Sequence, residues 1–297
     1  VDAVLASKFS VGRVFLVGDA AHRHPPTGGL GLTSAIHDVH NLCWKLGAVL
    51  EGHASPELLE TYGPERRSAD ERNAQRSLEN AVNQFAIVET AGVSHEHTPE
   101  QNWANLRRIW SGDPADADHR AAVMRAIRMQ SMEFNELNVE LGYSYESAAV
   151  VPDGTPPVTS VDEVRLYEPS TRPGSPLPHA WIDDADGVRE PIKDLVKPGR
   201  FLLIAGEEGA PWCKAAEELA STGVPLDAVR IGHIDGDLYD PRCMWARSRG
   251  IRPEGAILVR PDRFVAWRNP GASDAPLEEL REAFAHVLAK PTAVAAT

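Results

Sequence analysis

At 297 residues the chain is long for one domain, and two units are expected. Its 42% hydrophobic and 25% charged residues are those of a folded globular protein, and a formal net charge of -13 disfavours nucleic acid or an anionic membrane as a main partner. No apolar run reaches the ~18 residues of a bilayer span. The opening VDAVLASKFS lacks the charged-then-apolar pattern of a signal peptide. The three cysteines, Cys43, Cys213 and Cys243, are too few and too far apart for a disulfide framework, so a reducing cytoplasm is the expected location.

In chain order, an apolar strand Val14–Val17 runs into Gly18-Asp19, a proline-glycine loop and then a helix from about Leu32. In that helix Ile36, Val39, Cys43, Leu46 and Leu50 recur at helical spacing, Gly52 follows as a stop, and Cys43 is expected on the inner face. Ser55-Pro56-Glu57 reads as a helix cap with a first-turn proline and acid. A long helix is expected from Pro64 to Thr90, with Arg66, Arg67, Asp70, Glu71, Arg72 and Arg76 as a solvated face of i,i+4 pairs, or else a subunit interface. Thr98-Pro99-Glu100-Gln101 has the form of a capping box and starts a helix to about Trp110. One further helix is expected over Ala117–Leu141, ended by Gly142.

From Val151 the stretches VPDGTPP and EPSTRPGSPLPH read as linkers. Beyond them come a strand Phe201–Ala205, a helix Pro211–Ser221, a strand Val229–Ile234 and a helix Pro241–Ser248. Strands Ala256–Val259 and Phe264–Trp267 follow, joined by a turn at RPDR, and a helix Pro276–Leu288 closes the chain. The expected fold class is therefore α/β: a unit over 1–165 that is mostly helical after one strand, and a small α/β unit over 166–297.

The candidate site is the strand–loop–helix at the start. A carboxylate at Asp19 can accept hydrogen bonds from a polyol. Gly28, Gly29 and Gly31 let the backbone approach a flat ligand. The helix start near Leu32 offers free N–H groups and a positive dipole end to developing negative charge. Polyol, flat ring and anion together describe a reduced flavin, and a ligand-free glycine connection is the plain alternative. His22 and His24 flank Arg23, but no cysteine or carboxylate stands near them in a metal-ligand pattern, so no metal is expected. His37 and His40 are expected on the polar side of their helix.

The string GDAAHRHPPTGGLGLTSAIHDVHNLCWKL resembles the second flavin fingerprint of the single-component flavoprotein aromatic hydroxylases, the para-hydroxybenzoate hydroxylase class. The resemblance implies that Gly18 and Asp19 hold the ribityl chain of FAD and that Pro25, Pro26 and Gly28 pass along the isoalloxazine. It further implies that backbone N–H groups at Gly31, Leu32 and Thr33 meet the flavin N1/O2 edge, with threonine at 33 where many members carry asparagine. VLASKFSVGRVFLVGDAAHRHPPTGGLG, LLETYGPERR and STRPGSPLPHAW extend the similarity to phenol hydroxylases of the 2,4-dichlorophenol 6-monooxygenase type.

That likeness implies FAD, NAD(P)H and O2, a phenolic substrate, a homodimer and a thioredoxin-like C-terminal domain. The Gly-x-Gly-x-x-Gly and middle Asp-Gly motifs of the class have no counterpart here. The expectation is thus the C-terminal portion of a longer hydroxylase, inactive by itself, whose catalytic residues and N-terminal half of the FAD and substrate domains lie elsewhere. Cys213 in APWCKAAEE stands where thioredoxin has its redox pair, but Ala216 replaces the second cysteine, so the fold is expected without the redox chemistry. The alternatives are a non-redox thioredoxin-like binding module, or a flavoprotein of the same fold acting on polyketide or epoxidation substrates.

Overall fold

The computed structural model describes residues 3–290; the outermost residues of the two expected units, 1–2 and 291–297, lie outside the described residues. Two small ribbons open the chain. β1 (Val4–Leu5) pairs antiparallel with β4 (His22–Arg23), and β2 (Ser10–Val11) pairs with β3 (Val14–Phe15) around Gly12. The expected strand 14–17 is thus cut to two paired residues, because β2 is its one neighbour among the described residues. Leu16 is held instead by single bonds: its N–H donates to Phe9 O at 2.8 Å, and its carbonyl accepts from Tyr62 Oη at 2.7 Å. Phe9, Ala21, Leu42 and Tyr62 make the local core.

Helices follow. α1 (Leu30–Leu50) starts two residues before the expected position, on Gly29 in left-handed geometry (φ 68). A 3-10 turn Pro56–Thr61 runs straight into α2 (Tyr62–Thr90). α3 (Pro99–Trp110) opens on the expected capping box: Thr98 Oγ1 accepts the Gln101 N–H at 3.3 Å, and Gln101 Oε1 accepts the Thr98 N–H at 2.8 Å. The single helix expected to reach Leu141 breaks. α4 (Ala117–Met129) gives way to a 3-10 turn, and α5 (Leu137–Leu141) resumes after Glu136, which is non-helical at φ -114 and ψ 33. Between them Glu133 accepts Gln84 Nε2 at 2.8 Å on both oxygens. Glu136 accepts Arg76 Nε and Asn80 Nδ2 at 2.8 and 2.6 Å. These charge-assisted bonds to α2 outweigh the continued helix.

Two expectations about faces are corrected. Arg66, Asp70 and Arg76 are buried, not solvated, because they find partners on α1 and around α5; Arg67 and Glu71 alone form the expected exposed i,i+4 pair, at 3.3 Å. Cys43 is exposed, not core. The buried side of α1 is largely polar, with Ser34, Asp38, Asn41 and Lys45 beside Leu42 and Trp44. Its apolar stripe faces outward, with Leu32 74%, Ile36 56% and Val39 47% exposed.

The C-terminal part is a seven-stranded sheet in the order β11-β10-β7-β8-β9-β5-β6. Its strands are β5 (Trp181–Asp183), β6 (Arg189–Pro191), β7 (Phe201–Ala205), β8 (Leu226–Gly232), β9 (Leu238–Tyr239), β10 (Ala256–Val259) and β11 (Val265–Asn269). α6 (Ala210–Ser221) joins β7 to the parallel β8, and β10 runs antiparallel to both β7 and β11. α7 (Met244–Ser248) begins later than expected, after Cys243 at φ 53, and Ile234 lies past the end of β8, exposed. α8 (Pro276–Val287) closes the fold. Alternation along β7 explains its wholly apolar sequence: Phe201 and Leu203 meet α6 and α8, while Leu202 and Ile204 join Ile231, Trp245 and Ile257 on the other face.

Helical and sheet parts share one core, since Trp44, Ala54 and Leu58 pack with Phe201, Leu219 and Phe284. Inside this seam lies a dry charge cluster. Arg260, from the turn between β10 and β11, grips Glu65 of α2 in bidentate fashion at 2.7 and 2.9 Å. Asp262 takes the same guanidinium at 2.5 and 3.0 Å, and Lys45 Nζ reaches Glu65 at 2.7 Å. Asn41 Nδ2 bridges Glu65 and Asp262, and Ser147 Oγ donates to Glu65 at 2.5 Å. Two cations meet two anions, so the cluster carries no net charge. Burial works to raise the pKa of Glu65, but Arg260 and Lys45 outweigh it and hold the carboxylate below its usual range.

Glu65→Gln is expected to destabilise the chain by about 3–5 kcal/mol in chemical denaturation, because it leaves Arg260 and Lys45 buried against one carboxylate. A loss under about 1 kcal/mol would show that the pair does not hold the seam. The native pKa of Glu65 is depressed, so its contribution is complete above the unfolded value of ~4.3 and is lost as pH falls toward the native one. The variant should therefore lose part of the parent's acid sensitivity below about pH 4.

Candidate functional site

The site is built on the backbone between β3 and α1. Gly18 takes φ +56, and a Cβ there would sit 3.1 Å from Ala35 Cβ, so glycine is required both by conformation and by the close approach of α1. This contact sets the turn Gly18–Ala20 alongside the first turns of α1, with Asp19 exposed at its tip. The Gly18 N–H donates to Asp38 Oδ2 at 2.9 Å. Asp38 also accepts His22 Nε2 at 2.8 Å and Arg66 Nε at 2.8 Å. Arg66 continues to Asp70 Oδ1 at 2.7 Å and to Tyr145 Oη at 3.1 Å.

His22, Asp38, Arg66 and Asp70 are all buried. Burial acts to raise Asp38, but the His22 bond and the Arg66 charge hold it at about 2. Burial pushes Asp70 up to about 7, with Asp38 adding to the effect and Arg66 opposing it. Burial would lower His22, yet its bond to Asp38 and the field of Asp70 raise it. Ligand atoms of His22, Asp38 and Asp70 lie within 4.8 Å of one another, a spacing that could hold a cation. Arg66 already occupies one oxygen of each carboxylate, so a cation of this chain meets their charge.

The loop beyond is pinned to α2 and to the α4–α5 break. Thr27 Oγ1 donates to Ser77 O at 2.5 Å, His24 Nδ1 lies 3.1 Å from Ser77 Oγ, and the Gly28 N–H donates to Glu133 Oε1 at 3.2 Å. Pro25 is buried and Pro26 exposed. Gly28, at φ +84, would bring a Cβ to 2.9 Å from Asn80 Nδ2 and 3.0 Å from Glu136 Oε2. At the head of α1, Gly31 passes beside the His24 ring, while Leu32 and Thr33 are exposed. The Thr33 hydroxyl donates back to Leu30 O at 3.0 Å, and the first turn holds no acidic residue. Its leading N–H groups lack intrahelical acceptors, and the dipole there favours an anion.

All eight positions singled out in the sequence thus lie on one continuous turn–loop–helix start. The residues that hold it were missed: Asp38, Arg66, Asp70 and Tyr145 under the turn, Ser77 and Glu133 under the loop. One signal was available, a polar stripe Ser34, Asp38, Asn41, Lys45 at helical spacing on α1. His37 departs from the polar-side expectation: it is half-buried with Nδ1 3.1 Å from Tyr143 Oη, and burial, with Arg66 and His40 assisting, lowers it to about 4. Cys213 is half-buried, and burial pushes its thiol up to about 11, the wrong direction for a reactive thiolate.

Comparison with known proteins matches residues 1–77 to an FAD binding domain and residues 170–291 to an aromatic-ring hydroxylase C-terminal domain. The chain is 41% identical over 290 residues to 2,4-dichlorophenol 6-monooxygenase of Delftia acidovorans, covering 97% of this chain and 49% of that protein. It is 38% identical to phenol 2-monooxygenase of Pseudomonas sp. (strain EST1001), covering 89% and 43%. Among solved structures, the flavin-dependent monooxygenase PieE in complex with FAD and substrate superimposes with a TM-score of 0.88 at 40% identity, over 97% of this chain and 49% of that one. The chain spans about half the length of the curated relatives it matches. The turn–loop–helix site lies within the first of these matches, and with the second following it in chain order, the chain belongs to the FAD-binding and C-terminal domain families of the aromatic-ring hydroxylases.

Proposed function

We propose that this chain forms part of an FAD-dependent monooxygenase that hydroxylates a phenolic ring with NAD(P)H and O2. The observation that carries the reading is the Gly18–Asp19 turn packed on the open N-terminus of α1. The residues fit the cofactor: an exposed carboxylate at Asp19 for the ribityl hydroxyls, the loop backbone at Pro25, Pro26 and Gly28 for the ring, and the head of α1 for its N1/O2 edge, where Gly31 and Leu32 carry N–H groups free of intrahelical acceptors and Thr33 follows them. FAD, when bound, supplies the electron transfer from NAD(P)H and the activation of O2. This chain's part is to orient the ring and to favour negative charge at its pyrimidine edge through the helix dipole. Two relatives named for phenols support a phenolic substrate.

The C-terminal unit, from about residue 166, is read as thioredoxin-like. The β7-α6-β8 crossover, the antiparallel β10 and β11 and the closing α8 support this. Cys213 gives it no redox role. The outward apolar stripe of α1 is proposed to pack against the remainder of the FAD fold, in the same chain or in a second one, since a stripe of this size is a contact surface.

Asp19→Ala is expected to weaken FAD binding roughly tenfold to a hundredfold in titration of apoenzyme, since charge-assisted hydrogen bonds are worth ~1.5–3 kcal/mol each. Thr33→Val should leave affinity nearly unchanged, because its contact is a backbone N–H. Leu32→Pro removes such a donor and should slow flavin reduction. Unaltered FAD affinity in Asp19→Ala would sink the assignment of the polyol contact.

A second measurement tests the α1 stripe. The 297-residue chain alone should bind FAD weakly, whereas fusion behind the N-terminal half of the Delftia acidovorans relative should restore stoichiometric flavin absorbance. In that fusion Ile36→Asp should abolish it. A stoichiometric flavin on the unfused chain would overturn the proposed packing.

A further inference from the structure

We propose that His22 and Asp70 share one proton beneath the Gly18–Asp19 turn, and that Arg66 and Asp38 carry the state of that proton to the Gly18 amide, making these four side chains positioning residues for the flavin's ribityl chain. The part concerning flavin rests on the function proposed above.

The argument begins from geometry. Asp38 Oδ2 is the common acceptor of the Gly18 N–H, at 2.9 Å, and of His22 Nε2, at 2.8 Å. A carboxylate oxygen only accepts, so Nε2 carries a hydrogen. Asp70 Oδ2 lies 3.6 Å from the same Nε2 and is buried with no hydrogen-bond partner among the described residues. Asp70 Oδ1 and Asp38 Oδ1 are both taken by Arg66, which fixes the two carboxylates on either side of the ring nitrogen.

Charge balance supplies the second step. Arg66 and Asp38 cancel. His22 and Asp70 together carry +1 with two exchangeable protons, zero with one and -1 with none. All four side chains are 2% exposed or less, and an uncompensated charge at that depth costs several kcal/mol. The neutral arrangement therefore spans neutrality, and the pair titrates in two steps that belong to both groups. The directions noted above agree, with Asp70 pushed up by burial and His22 raised against burial by its two carboxylates.

Among the described residues no other charge around the ring replaces that proton. Phe9 stacks on His22 at 6.3 Å from one side, and His24 lies at 5.7 Å, its own pKa lowered by burial and by His22. On α2 the neighbour is the Tyr62 phenol, which burial keeps neutral. Beyond α5, Tyr145 Oη meets Arg66. When the last shared proton leaves, the unit becomes an anion beneath the Gly18 amide. The acceptor holding Gly18 then faces a second carboxylate with no cation between them on the His22 side. The turn loosens, and its hold on a polyol weakens.

The test is an NMR titration of the 15N-labelled chain, following the His22 ring nitrogens and the Gly18 amide. Both are expected to move with one common midpoint, above the ordinary histidine value of about 6.5. In Asp70→Asn a neutral His22 already balances the unit, so the His22 midpoint should fall below about 6.5 and the Gly18 amide should be flat above it. In His22→Gln a Gly18 step should remain, carried by Asp70 alone. A Gly18 amide indifferent to pH in the parent chain, or a His22 midpoint unmoved in Asp70→Asn, overturns the proposal. Should neither variant fold, agreement or disagreement of the two midpoints in the parent chain decides it.

In the FAD-binding fusion, affinity should fall about tenfold across the same step in the parent and stay level in Asp70→Asn. A Gly18 step without FAD binding at any pH would sink the flavin reading and leave the shared proton standing. FAD binding with a flat Gly18 amide would do the reverse.

Discussion

The bidentate pair between Glu65 and Arg260 is the constraint on which the arrangement depends. It joins residues 195 apart in sequence and lies wholly out of water. A guanidinium and a carboxylate in that setting tolerate little displacement, because each would lose hydrogen bonds that water cannot replace. The pair therefore fixes the rotation of α2 about its axis. Arg66 is the next residue and points about 100° away, toward α1 and the Gly18–Asp19 turn. One turn of α2 thus orients the sheet on one side and Asp38, hence Gly18, on the other. Tyr145 reinforces the link, bonded to Arg66 and stacked on Phe264 at 4.1 Å between ring centroids.

α1 is organised around the opposite use of its two sides. Its inner side is largely polar and hydrogen-bonded: Asp38 serves the turn, Asn41 and Lys45 serve the seam. Its outer side is apolar and uncovered among the described residues. A helix that spends its buried side on hydrogen bonds contributes less to the core of this chain than its hydrophobicity implies, and it leaves apolar surface for a further contact. The glycine loop fits the same logic. It is held to α2 by Ser77 and to the α4–α5 break by Glu133, so its backbone shape is fixed from one side.

The C-terminal sheet plays a supporting part. Arg260 and Asp262 sit in its β10–β11 turn, and Trp44 lies against the Arg260 guanidinium at 5.1 Å. Cys213, in the first turn of α6, is a half-buried thiol whose surroundings disfavour ionisation. The unit's visible contribution to the site is mechanical: it presents the arginine that orients α2.

What the sequence determined by itself was local. The capping box at Thr98, the continuous apolar run of β7, the amphipathic α8 and the turn at Gly18-Asp19 each follow from spacing and backbone preference within a few residues, and such signals survive without tertiary context. The partners of charged side chains did not follow. Arg66 and Asp70 at i,i+4 have the same spacing as Arg67 and Glu71, one pair buried and the other solvated, and nothing local separates them. Asp38 meets Arg66 across 28 residues and Glu65 meets Arg260 across 195. The break after Met129 and the short strands β5, β6 and β9 were likewise decided at a distance, by Glu133 and Glu136 turning to α2 and by edge pairing in the sheet. Only the assembled structure excludes water from these groups, and it is the loss of water that turns an ordinary run of charge into the frame of the site.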